Sequence, residues 1–249
     1  MTDDPAGEVR LDRPGGGVGR IVLARAGKRN ALSTRMLTQL GARLDEVAAD
    51  PQIRVVTICG DGPVFCAGAD TVEFAGTSAE DIRGSWTRLG QRVFAALAEL
   101  PQTTVAVLSG SSYGGGVELA MHCDFRVAAN TIELGMPEVT LGTTPGWSGL
   151  SRITQVAGIT VARRLALTGR PVGAVEALRL GLVDFVGDDA HAAATELVES
   201  LLATAPIAQS IIKRALAHDT PRGASTLIDS LAGAYLCAHG ETSATRRTS

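Results

Sequence analysis

Two runs, Ile53–Cys59 (IRVVTIC) and Thr104–Leu108 (TVAVL), are β-branched and largely apolar, with little of the polar alternation of a half-exposed strand. Strands of this kind need cover on both faces. The chain supplies it with amphipathic helices. One is capped by Ser33 or Thr34 and runs to about Ala49, with Met36, Leu37, Leu40, Leu44 and Val47 on a single face before Asp50-Pro51 ends it. A second spans about Ala79 to Leu100 and stops before Pro101. Further strand-like runs lie at Glu8–Arg13, Gly19–Ala24 and, more weakly, Phe125–Ala129, and the segment GGGVG at 15–19 reads as a hairpin turn. Alternating strands and helices predict an α/β core.

The character changes after Val186. Segments at 190–204, 206–218 and roughly 225–238 are rich in Ala and Leu with no strand between them. They predict a helical region suited to core packing or subunit contact. The tail from Gly240 to Ser249 lacks apolar residues and is expected to be disordered. A net charge of −3 with scattered basic residues argues against a nucleic-acid surface, and no apolar run approaches a membrane span. The N-terminus MTDDPAGEVR is acidic where a signal peptide is basic and then apolar, so a cytoplasmic setting is expected. The four cysteines have no metal or disulfide spacing and read as small buried hydrophobes. A zinc site from Cys66, His122 and Cys123 is disfavoured because adjacent residues on an extended segment point to opposite faces.

Three stretches combine turn glycines with polar residues in apolar surroundings: Pro63–Asp70 (PVFCAGAD), Ser112–Asp124 (SYGGGVELAMHCD) and Leu134–Gly146 (LGMPEVTLGTTPG). The first two follow strands, where an open α/β sheet places its ligand crevice. A glycine loop opening a helix suits an anion, yet Glu118 stands one turn inside it. A transient negative charge resolves that conflict. If the two loops face each other, the backbone N–H groups of Ala69 and Gly115 converge on one oxygen as an oxyanion hole. Glu118 then looks into the crevice, unless it serves only as a first-turn acid favoured by the helix dipole. Glu138, after Pro137, has the look of an ordinary helix start. Near a second acid and an oxyanion hole it becomes one of a pair whose pKa values are pushed apart for acid and base work.

Together these stretches resemble the crotonase superfamily of enoyl-CoA hydratases and isomerases. FCAGAD is similar to the first oxyanion loop, GGGVELAMHCDFRVAA to the second, and LGMPEVTLGTTPG to the segment holding a second acid. GKRNAL at 27–32 and ALTGRPVGAVEALRLGLVD at 166–184 extend the likeness over about three-quarters of the chain. The resemblance implies a spiral of ββα units over 1–187 with the CoA and catalytic site, a helical trimerisation region over 188–239, and a homotrimer or a dimer of trimers. It implies an acyl-CoA thioester substrate, with no metal or redox cofactor and coenzyme A only as part of the substrate. Ala69 and Gly115 would hold the thioester oxygen, while Glu118 and Glu138 would be the catalytic acids of hydration. Lys28 and Arg29 would lie near the CoA phosphates, and Ala31, Ala67, Gly68, Ala69, Asp70 and Gly115 would complete the CoA contacts.

The likeness has departures. Val72 stands where the family often has lysine, and the PGxGG segment reads Pro145-Gly-Trp-Ser-Gly149, so Trp147 either narrows the acyl end or is a core or interface residue. The C-terminus lacks the usual Glu-Gly and Ala-Phe pattern. Competing readings are double-bond isomerisation or another crotonase-type lyase, a thioester hydrolase using Cys66 or Ser148 with a histidine, and a non-catalytic acyl-CoA or RNA binder. Retention of both acids favours hydration.

Overall fold

The computed structural model describes residues 7–217 and 222–238. The chain opens with a hairpin, β1 (Glu8–Gly15) and β2 (Val18–Ala24), turned by Gly16 and Gly17, both at positive φ. Helix α1 (Thr34–Ala49) follows, with the Ser33 hydroxyl accepting from the Met36 N–H and all five expected apolar residues buried. Next come β3 (Val55–Gly60), β4 (Val64–Cys66), α2 (Thr71–Gly76) and α3 (Ala79–Asp81). The helix expected over 79–100 is interrupted: α3 passes through a π-helical turn (Ile82–Trp86) into α4 (Thr87–Glu99). Then follow β5 (Thr103–Leu108), β6 (Ser111–Tyr113), α5 (Gly115–Met121), β7 (Phe125–Ala129) and β8 (Glu133–Gly135). A 3-10 turn (Pro137–Leu141) leads to α6 (Gly149–Ala157), α7 (Ile159–Thr168), β9 (Val172–Gly173), α8 (Ala174–Arg179) and β10 (Phe185–Gly187). The described chain closes with α9 (Ala190–Leu202), α10 (Pro206–Ala217) and α11 (Arg222–Ala238).

The strands form two sheets. One has six strands in the order β1-β2-β3-β5-β7-β10, parallel except for the β1–β2 hairpin; the other has four, β4-β6-β8-β9, with only β9 antiparallel. Every residue of β5 is buried and only Gly60 of β3 is not, as their composition requires. Successive strand pairs alternate between sheets: β3, β5 and β7 enter the large sheet, and their followers β4, β6 and β8 enter the small one. This is the spiral of ββα units that the resemblance implied. It stacks the chain just after β4 and β6 side by side, because those strands pair in parallel.

The region expected to begin at 188 divides in two. Helix α9 buries Ala190, Ala194 and Val198 and packs on β3, β5, β7 and β10, so it covers the large sheet. Helices α10 and α11 pack on each other and carry exposed Ile212, Leu216, Leu231 and Tyr235. The tail from 240 to 249 lies outside the described residues. No helix among the described residues is long and apolar enough to cross a membrane.

Candidate active site

Loop 67–70 is held from one side by Leu32. The Leu32 N–H donates to the Gly68 carbonyl at 2.7 Å, and the Asp70 N–H donates to the Leu32 carbonyl at 2.9 Å. In that parallel bridge the intervening Ala69 N–H points away from Leu32. Across from it Gly115 is the first residue of α5, so its N–H has no acceptor within the helix. Neither donor reaches a protein acceptor among the described residues. The loops touch: a Cβ on Gly115 would sit 3.4 Å from the Ala69 nitrogen. Gly114, at φ 51°, makes the turn, and a Cβ there would stand 2.9 Å from Glu138 Oε1. The two loops expected to face each other are therefore in contact, each with one unpaired N–H among the described residues.

Glu118 does not cap its own helix. Its side chain, 2% exposed, crosses to the loop before α6, where Oε1 accepts from the Trp147 N–H at 2.9 Å and the Gly149 N–H at 2.7 Å. Burial pushes its pKa from 4.5 up to about 7; the backbone N–H groups of Gly149 and Trp147 pull it down and the charge of Glu138 pushes it up. Glu138 sits in the 3-10 turn, half-buried, with a buried Oε2 that has no hydrogen-bond partner among the described residues. Its pKa is also raised, chiefly by desolvation. Both carboxylates line one cavity of about 240 Å³ together with Ala69, Gly115, Phe74, Trp86 and Trp147.

A second cavity of about 530 Å³ shares Ala67, Ala69 and Thr71 with the first. Exposed Lys28 and Arg29 line it, with Ala31, Asp70 and Val72. Gly68 and Gly115 line the inner cavity instead. Asp70 borders the outer one by its position, while its carboxylate is already engaged: it caps α2 through the N–H groups of Val72 and Glu73 and pairs with Arg25 Nη1 at 2.6 Å. Those contacts hold its pKa below the ordinary value against desolvation. The geometry is thus a narrow, partly apolar chamber with two carboxylates and two free donors, joined to a wider vestibule with basic residues at its rim.

The model of the family described as Enoyl-CoA hydratase/isomerase matches residues 13–233. The chain belongs to that family. Among its relatives is a probable enoyl-CoA hydratase of Bacillus subtilis, 38% identical over 160 residues, which are 64% of this chain and 62% of that protein. The mitochondrial methylglutaconyl-CoA hydratase of Mus musculus is 32% identical over 222 residues, 86% of this chain and 70% of that one. The chain therefore spans less than two thirds of the Bacillus relative. The crystal structure of enoyl-CoA hydratase from Bacillus anthracis superposes with a TM-score of 0.86 at 33% identity, covering 90% of this chain and 89% of that one. The α/β architecture is accordingly the crotonase fold.

Some of the site was not legible in sequence. The N–H groups of Trp147 and Gly149 reach Glu118 only because Ser148 adopts φ 71°, a left-handed conformation that a non-glycine residue does not advertise. Arg25, 7% exposed, also bonds the Ala31 carbonyl at 2.9 Å and so ties the vestibule wall to Asp70; an arginine ending an apolar strand was its only signal. The hydrolase reading loses its cysteine. Cys66 is buried, donates to the Asn30 carbonyl at 3.2 Å, and burial pushes its thiol up to about 12. His122 is buried too: its Nδ1–H donates to the Glu118 carbonyl at 2.7 Å, its ring packs on Phe94, and desolvation lowers its pKa to about 4.

Proposed function

We propose that this protein is an enoyl-CoA hydratase that adds water across the double bond of a trans-2-enoyl-CoA thioester. The observation that carries the reading is the convergence of Glu118, Glu138 and the free N–H groups of Ala69 and Gly115 on one chamber. The thioester carbonyl accepts from the two N–H groups, which draws electron density from Cβ. Each such donor contributes on the order of 3 kcal/mol once the oxygen becomes negative. Water held at Glu118 loses a proton to its free oxygen, and the water oxygen bonds to Cβ as the C=C π bond breaks. Glu138, protonated, delivers a proton to Cα. The product is a 3-hydroxyacyl-CoA, and neither metal nor redox cofactor is needed. Lys28 and Arg29 at the vestibule rim suit CoA phosphates, with the 67–70 backbone along the pantetheine. Helices α10 and α11, with their exposed apolar residues, suit subunit contact in a trimer or a dimer of trimers, and the buried free thiols of Cys59, Cys66 and Cys123 suit the reducing cytoplasm.

The test follows loss of the conjugated enoyl absorbance with 2-butenoyl-CoA and longer enoyl-CoAs. Hydration is expected; absence of turnover at every chain length, in protein that binds CoA esters, overturns the reading. Double-bond isomerisation of a 3-enoyl-CoA needs proton transfer at two carbons but no water, so a protein that isomerises without hydrating would move the assignment within the family.

Gly149 provides a structural check on the base. A Cβ at this position would overlap the Glu118 side chain. Gly149→Ala is expected to displace the carboxylate and lower kcat by about 100-fold, the scale of a misplacement near 1 Å, with little change in CoA-ester binding. Unchanged kcat would mean that the position of Glu118 is immaterial.

A further inference from the structure

One wall of the chamber is aromatic. Both tryptophans and two of the five phenylalanines form a continuous cluster of rings there: Phe74 meets Trp86 edge-on at 5.3 Å, Trp86 lies tilted against Trp147 at 4.6 Å, and Trp147 meets Phe94 edge-on at 5.5 Å between ring centroids, with Phe94 behind the wall. Trp147 is 1% exposed and Trp86 9%, and Phe94 is fully buried. The Trp147 indole is wedged between two glycines. A Cβ on Gly90 of α4 would overlap its pyrrole edge, and a Cβ on Gly115 would meet its benzo edge at 2.5 Å. Trp147 therefore stands directly beside one of the two proposed thioester donors, and it has no room to retreat.

We propose that Trp147 is the residue that sets acyl length and that this chamber takes compact acyl groups of up to about seven carbons, by the volume argument that follows; the proposal rests on the hydratase reading for the chemistry, though not for binding. A 150 Å³ protein cavity holds benzene, roughly 25 Å³ per carbon. At that scale the chamber's volume of about 240 Å³ accepts about ten non-hydrogen atoms. The thioester carbon, oxygen and sulfur and the attacking water occupy four of these, leaving about six carbons beyond the carbonyl. A longer chain meets the Trp86–Trp147 pair, whose movement would disturb Phe94 and the loop that holds Glu118. In a chamber open on that side each added methylene would instead tighten binding by roughly fourfold.

The experiment measures binding of saturated butanoyl-, hexanoyl-, decanoyl- and hexadecanoyl-CoA to the wild-type protein, alongside kcat/KM for the matching 2-enoyl-CoAs. Affinity and kcat/KM are expected to fall at least about 30-fold between six and ten carbons, the scale of overpacking a filled core. Trp147→Leu is expected to bring the ten-carbon substrate within a few-fold of the six-carbon one. If that variant does not fold, Trp86→Leu and Trp147→Phe test the same wall. Affinity that rises or stays level from four to sixteen carbons in the wild type overturns the proposal, as does a folded Trp147→Leu protein with an unchanged length profile. A steep preference for short saturated esters without hydration of any enoyl ester would uphold the chamber limit and overturn the hydratase reading instead.

Discussion

Glu118→Gln is expected to lower kcat for 2-butenoyl-CoA hydration by about 10³-fold, within the range that a positioned acid or base contributes, with KM nearly unchanged. The amide keeps an oxygen to accept from Trp147 and Gly149, so the loop before α6 should hold, but it cannot take a proton from water. The same substitution is expected to stabilise the protein at pH 8. The folded pKa of about 7 lies above the unfolded value of 4.5, so the native state binds more protons between the two and stability falls as pH rises through that window. Above pH 7 the full penalty, on the order of 3 kcal/mol for a 2% exposed group, is present in the wild type and absent from the variant. Thermal unfolding should show a Tm gain of several degrees at pH 8 that vanishes below pH 4.5. A variant with wild-type kcat would remove Glu118 from the mechanism. One that loses stability at pH 8 would mean that burying the Glu118 charge does not destabilise the fold.

Glu138→Gln is expected to cost kcat about as much, for a different reason: Cα loses its proton donor. The two carboxylates act on each other, so their titrations belong to the pair, and the competent form is the one with a single proton between them. The wild-type profile of kcat/KM should accordingly be bell-shaped around neutrality. The acid limb reports ionisation of the base and the alkaline limb loss of the remaining proton. Glu138 is uncharged in the competent form, so replacing it with a neutral amide leaves ionisation of Glu118 as the one titration that matters, and the residual activity of Glu138→Gln should keep an acid limb and lose the alkaline limb. A residual profile identical in shape to the wild type, or full activity, would exclude Glu138 as the acid.

Local signals carried much of the design. The β-branched runs that became β3 and β5, the Ser33 cap of α1 and the glycine loops after β4 and β6 were readable because each depends on neighbours within one or two turns of chain. Strands β4, β6 and β8, three residues each, were not, because so short a run has no periodicity to read. The glycines, the acids at 118 and 138 and their order along the chain by themselves determined the family likeness and the candidate donors. Only the tertiary structure decided what Glu118 is. Twenty-nine and thirty-one residues on, Trp147 and Gly149 turn their N–H groups onto it through a left-handed Ser148, and Gly149 leaves it space, while burial raises its pKa. The same holds for Trp147, whose place beside Gly115 depends on a glycine of α4 that no local pattern connects to it. Burial and close approach are properties of surfaces brought together by the fold, so a linear pattern can supply the groups but not the environment that sets their chemistry.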